Sequence, residues 1–366
     1  MFSRNDSINK SAVKRILIRA TNWVGDAVMT LPALEAVRDN FPSAEITVLA
    51  KPWVAPIYAH HPAVDQVFEF QKGEGAFNGW RAMARSIGEI RRARFDLAIL
   101  FQNAFEAALL SYLGRVGLRI GYRTDGRSLL LTHGIPRQKA VMECHQTEYY
   151  LSILRAMGWE AWNRDPRLFV SKDDMKAANR MLKSEGIQEE DFLMGLSPGA
   201  IFGGAKRWPA KRFAEIGDRA AETWGAKILV FGSRSEADIC GQVVEAMQRP
   251  ALDLSGRTSL GVAMGLIRRC SFFVTNDSGL MHIAAALNVP TVAIFGPTDP
   301  VATGPRGPRT MIVRHDTSCA PCLKPECTED HACMRGVLMK DAWETMKRLK
   351  DERPTSNQSL TATDNR

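Results

Sequence analysis

The sequence predicts two doubly wound α/β domains that face each other across a cleft. Three observations predict it. Short β-branched runs alternate with amphipathic stretches over most of the 366 residues, as strands do when helical crossovers join them into a parallel sheet. The rhythm breaks at Trp159–Asp173, around Asn163, Asp165 and Pro166, and then restarts. A chain of this length also suits two domains of about 150 residues better than one.

The first half reads as strands Arg15–Ala20, Glu45–Ala50, Gln66–Phe70, Asp96–Phe101 and Leu118–Tyr122, with helices Trp80–Arg94 and Cys144–Gly158. The second half reads as strands Phe192–Ser197, Lys227–Phe231, Ser271–Thr275 and Thr291–Phe295. Its helices are Asp173–Ser184, Ala210–Trp224, Glu236–Gln248, Leu260–Arg269 and Ser278–Leu287. Pro209 fits a first helical position, where its missing N–H costs nothing. The domains are therefore expected at 13–165 and 173–336. Polar tails are expected at 1–12 and 351–366, with a last helix at 337–350.

A composition of 45% hydrophobic and 24% charged residues excludes whole-chain disorder and fibrous structure. No apolar run reaches the roughly 18 to 20 residues that span a bilayer. The first residues hold no apolar core of a secretory signal. A cytoplasmic protein is expected. The formal net charge is +8; 22 of the 48 basic and 16 of the 40 acidic residues precede position 171, which lodges most of the excess in the first half. Such an excess suits a phosphorylated substrate, a membrane surface or a nucleic acid, or serves solubility alone.

Ligands of open α/β sheets bind beyond the carboxyl ends of the strands, so the residues that follow strands matter most. After the first strand stands Thr21-Asn22-Trp23-Val24-Gly25-Asp26, where Asp26 is either an N-cap or a general base. This is not the glycine fingerprint of dinucleotide sites. Ser197–Pro209 carries three glycines and delivers Lys206 and Arg207 just before a helix, a combination that suits phosphate. In Val274–His282, Asp277 or Ser278 caps a helix whose free N–H groups can face an anion, with His282 on the face of Ser278. Gly232-Ser233 is a weaker candidate, read as a turn. Cys319, Cys322, Cys327 and Cys333 fall within 15 residues. A structural zinc site, disulfides and packed reduced thiols are the readings of that cluster.

Trp23–Asp26, Ser197–Pro209 and Thr275–His282 together resemble the ADP-heptose:lipopolysaccharide heptosyltransferases over about Arg15–Lys350. The resemblance implies a GT-B fold of two Rossmann-like domains, with acceptor bound by the first and donor by the second. It implies an inverting glycosyltransferase that moves L-glycero-D-manno-heptose from ADP-heptose to the heptosyl-Kdo2-lipid A inner core, at the cytoplasmic face of the inner membrane. Asp26 takes the place of the general base and Lys206 that of the diphosphate contact. Asp277, Ser278, Gly279, Leu280 and His282 take the donor segment, and Thr258 a nucleotide-side contact. Arg115, Arg119, Arg123 and Arg127 are expected to meet the phosphorylated acceptor, and helix 337–350 to cross back to the first domain. No cofactor is required for such chemistry and no nucleic acid is a partner. Another GT-B transferase, a sugar-nucleotide epimerase and a non-catalytic basic protein docking on lipid are the alternatives.

Overall fold

The computed structural model describes residues 8–71 and 75–352, with the backbone alone over 75–78. The tail residues 1–7 and 353–366 lie outside the described residues. Part of the expected first tail is ordered, since Lys10–Ala12 form a 3-10 turn capped by Asn9.

Among the described residues, twelve strands form two six-stranded parallel sheets. The first holds β1 Arg15–Arg19, β2 Glu45–Ala50, β3 Gln66–Glu69, β4 Leu97–Leu100, β5 Leu118–Tyr122 and β6 His133–Ile135, in the order β3-β2-β1-β4-β5-β6. The second holds β7 Leu193–Ser197, β8 Lys227–Val230, β9 Ala251–Asp253, β10 Phe272–Asn276, β11 Thr291–Phe295 and β12 Thr310–Arg314, in the order β12-β11-β10-β7-β8-β9. Both orders reverse beside their first strand, so each sheet has a crevice there, between β1 and β4 and between β7 and β10.

The strands are apolar runs because both faces of each sheet are covered. Leu17, Leu49, Ala98 and Leu100 pack with Ile90 and Leu110 on one face of the first sheet. Ile16, Ile18, Val48 and Ile99 lie on the other, with Val28, Leu34 and Leu151. That second cluster runs on into Leu193, Phe231, Leu266 and Ile283, so one apolar core joins the two sheets. The irregular segment between the sheets is held by ion pairs, Arg167 to Glu35 at 3.0 Å and Arg164 to Asp39 at 2.7 Å.

Two expectations are corrected, and three strands are not foreseen. The helix Met339–Asp351, expected to cross to the first domain, lies in the core of the second sheet through Ala342, Trp343, Met346 and Leu349. It packs on helix Ala210–Trp224 and on β11 and β12, where Trp343 stacks on Trp224 with ring centroids 4.6 Å apart. Pro209 is the N-cap of helix Ala210–Trp224 rather than its first residue. The strands β6, β9 and β12 escape sequence reading because they are short or partly exposed edges with little apolar run.

Candidate active site

The turn after β1 leads into helix Val24–Met29, and the strand β10 leads into helix Gly279–Ala286. These two helix starts, one from each sheet, meet. A Cβ on Gly25 would lie 2.9 Å from the His282 ring, and one on Gly279 would lie 2.9 Å from Cβ of Val24. Only glycine at both positions lets the two turns approach so closely.

Asp26 sits at this junction. The N-cap position belongs to Trp23, which makes no side-chain cap bond, and Asp26 is the third helical residue. The capping role is thereby excluded. Burial pushes the Asp26 carboxyl up to about 6; Lys206 draws it down and Asp277 pushes it further up. A carboxylate so tuned can take a proton near neutral pH.

Across the junction, Lys206 Nζ donates to Asp277 Oδ2 at 2.6 Å, and the Thr298 hydroxyl donates to the same oxygen at 2.8 Å. Both partners of the ion pair are largely buried, with side-chain exposures of 14% and 6%. The loop that carries Lys206 is tied to β10 by Asn276. Its Oδ1 accepts from the Trp208 N–H at 3.0 Å and its Nδ2 donates to the Pro198 carbonyl at 2.7 Å. Ser278 occupies the N-cap of helix Gly279–Ala286 without a side-chain cap bond, so the first N–H groups there, including those of Gly279 and Leu280, are left for another acceptor. His282 is buried, and burial lowers its pKa to about 4; its imidazole is neutral. Thr258 lies after β9, next to Ser259, which caps helix Leu260–Arg269.

Sequence reasoning missed Glu236. This buried carboxylate accepts from the Ser233 N–H at 2.9 Å and the Ser233 hydroxyl at 2.7 Å. It stands against the loop after β7, where a Cβ on Gly199 would lie 2.1 Å from its Oε1. The Ser233-x-x-Glu236 capping spacing was the available signal. On the first sheet, the buried cations at the carboxyl ends of β1 and β2 are Arg19 and Lys51, stacked over Phe70 at 5.5 and 4.1 Å from the ring centroid.

The four arginines expected to share an acceptor patch do not form one. Arg115 and Arg119 lie before or in the start of β5, at the end of the sheet away from Asp26, beside Arg91 and Tyr112. Arg123 follows β5 and is exposed. Arg127 is fully buried, donating to the carbonyls of Tyr122 and Gln102 and to Asn103 Oδ1. Its work is to fasten loops. Among the described residues no group of three or more His, Cys, Asp and Glu side chains is placed to hold a metal ion. Cys319, Cys322, Cys327 and Cys333, for which zinc, disulfides and packed reduced thiols are the readings, are all free thiols.

Two Rossmann-like sheets that bring a base candidate from one to a cation and an anion-ready helix start on the other are the arrangement of a two-domain glycosyltransferase of the GT-B type. Residues 83–333 match the model of glycosyltransferase family 9 (heptosyltransferase), and the chain belongs to that family. A lipooligosaccharide heptosyltransferase 2 of Haemophilus ducreyi is 34% identical to it, over 82% of this chain and 88% of that protein. The solved structure of E. coli ADP-heptose lps heptosyltransferase II covers 92% of this chain and 98% of its own, with 27% identity and a TM-score of 0.78. A family 9 glycosyl transferase from Veillonella parvula superposes with a TM-score of 0.82 at 22% identity and shows the same fold.

Proposed function

We propose that this chain transfers L-glycero-D-manno-heptose from ADP-heptose to the heptosyl-Kdo2-lipid A inner core, with inversion at the anomeric carbon. One observation carries the reading: Asp26, held near a pKa of 6, faces the Lys206–Asp277 pair across the meeting of two helix starts. The acceptor hydroxyl oxygen attacks the anomeric carbon while Asp26 takes its proton. The bond from that carbon to the β-phosphate oxygen breaks on the opposite side, and ADP leaves with the electron pair. Lys206 and the N–H groups at the start of helix Gly279–Ala286 stabilise the charge that develops on the diphosphate. Asp277 and Thr298 hold the lysine, and the neutral His282 fills the junction. Glu236 is assigned to the donor hydroxyls and Thr258 to its nucleotide end.

The phosphorylated acceptor is assigned to the carboxyl ends of the first sheet, where Lys51 follows β2. The step needs no cofactor. Mass spectrometry of the glycolipid after incubation with ADP-heptose tests the proposal. A gain of one heptose is expected; donor consumed without acceptor would favour epimerase chemistry.

The same reading places the enzyme at the cytoplasmic face of the inner membrane. Among the described residues no helix is long and apolar enough to cross a membrane, so contact would be peripheral. Helix Gly75–Ala93 supports it with an exposed face of Trp80, Arg81, Arg85, Arg91 and Arg92, Trp80 being 74% exposed. Arginines draw anionic headgroups and a tryptophan suits the interface. The variant Trp80→Ala/Arg85→Glu/Arg92→Glu is expected to lose co-sedimentation with phosphatidylglycerol vesicles while keeping its rate on a deacylated, soluble acceptor. Equal sedimentation would remove this face from the membrane.

A further inference from the structure

The segment that carries the four cysteines has a place in the fold that metal binding does not explain. It folds back over the loop that presents Lys206. Ala205, the residue just before that lysine, has both of its backbone polar groups occupied by this segment. Its N–H donates to the Pro325 carbonyl at 3.0 Å, and its carbonyl accepts from Nε2 of His331 at 2.9 Å. The Gly204 N–H points to Glu326 Oε1 at 3.4 Å. Contact is close enough that a Cβ on Gly203 would lie 2.1 Å from the Pro325 carbonyl oxygen.

The segment is itself anchored at both ends. The Leu323 N–H donates to the Pro297 carbonyl at 2.9 Å. Cys333 and Met334 are buried in the core of the second sheet, against Gly296. Pro297 and Gly296 directly follow β11, and Thr298 beside them donates to Asp277. One strand end thus supports both the acid that holds Lys206 and the segment that grips its loop.

We propose that Leu323–Cys333 is a clasp that sets the position of the donor-diphosphate loop, and that His331 is a positioning residue for Lys206. His331 touches no reacting atom in the proposed step; it acts through the Ala205 carbonyl. A loop with three glycines has many conformations to lose. The clasp removes that freedom before the donor arrives, so that binding does not have to. Nε2 carries the proton in this arrangement, because its partner is a carbonyl oxygen. The proposal rests on the reading of Lys206 as the diphosphate contact.

The test uses the left-handed backbone of His331, at φ 62°. Asparagine is at home there, yet its amide is too short to replace Nε2. Glutamine reaches the Nε2 position and can donate. His331→Asn is expected to raise the ADP dissociation constant and the donor KM about 5- to 10-fold, as the loss of one ordering hydrogen bond would. The acceptor KM and the melting temperature should stay as in the wild type, and His331→Gln should restore donor affinity to within about twofold. Gly203→Ala, which forces Pro325 away, should reproduce the donor defect by a separate route. Wild-type ADP affinity in both His331→Asn and Gly203→Ala would overturn the clasp. So would equal defects in His331→Asn and His331→Gln accompanied by a shared fall in melting temperature. Failure of the wild-type protein itself to bind ADP would instead overturn the donor-site reading on which the clasp depends.

Discussion

Lys206→Ala is expected to lower kcat/KM for the donor about 10²- to 10³-fold, the range seen when one group that stabilises a developing oxyanion is removed. The structure adds a second consequence. Lys206 and Asp277 form a largely buried pair, and removal of the lysine leaves the Asp277 carboxylate with only Thr298 as a partner. Breaking such a pair from one side typically costs about 3–5 kcal/mol, because an uncompensated charge stays buried. The single variant should therefore melt at a lower temperature as well as bind ADP poorly. Lys206→Ala/Asp277→Asn separates the two effects. Without the buried charge the double variant should regain most of the lost stability, while ADP affinity and turnover stay low. If donor affinity returns along with stability, Lys206 acts on the fold and not on the diphosphate. Calorimetric titration with ADP and thermal melts on the same three proteins decide it.

The half of the site built on Lys206 and Asp277 is legible in the sequence because its residues are local. Ser197–Pro209 and Val274–His282 each begin at a strand end and carry their glycines, cation and carboxylate within a few residues. A short continuous apolar run followed by such a cluster needs no tertiary information to be read. The clasp over Ala205 is different in kind: His331 lies 126 residues further along the chain and touches a backbone carbonyl. No residue pattern records that contact. The acceptor side failed for a related reason. Arg115, Arg119, Arg123 and Arg127 are near in sequence, but β5 runs between them and carries them to opposite ends of the sheet. Arg127 then disappears into the core because the carbonyls of Gln102 and Tyr122 need a donor there. Arg19 and Lys51 sit at the carboxyl ends of β1 and β2 instead. The last helix was misplaced on resemblance alone. Its Trp343 finds a stacking partner in Trp224, which no spacing rule foretells.

Asp26→Asn is the change with the largest expected effect, and it separates chemistry from stability in one residue. With Asp26 as the proton acceptor, its neighbours are otherwise engaged: Asp277 holds Lys206 and Thr298, and burial lowers the His282 pKa to about 4. Transfer should slow by on the order of 10²- to 10⁴-fold with both substrates saturating and chemistry limiting the rate. ADP affinity should persist, since Lys206 and the Gly279–Ala286 helix start are untouched. In the wild type, kcat/KM for the acceptor should fall below about pH 6, where the carboxyl takes up its proton. Stability should move the other way. The folded pKa of about 6 lies above the unfolded value of about 3.9, so the ionised carboxylate destabilises the fold at neutral pH. That penalty disappears as the pH falls from above 6 towards 4. It is worth up to about 3 kcal/mol, more than the roughly 0.3–1 kcal/mol a carboxylate gains from a helix start. Asp26→Asn should accordingly melt above the wild type at pH 7.5, with the difference closing by about pH 4.5. Wild-type turnover in the variant would strip Asp26 of the base role; a melting temperature equal to the wild type at both pH values would show that its carboxylate is not held out of water.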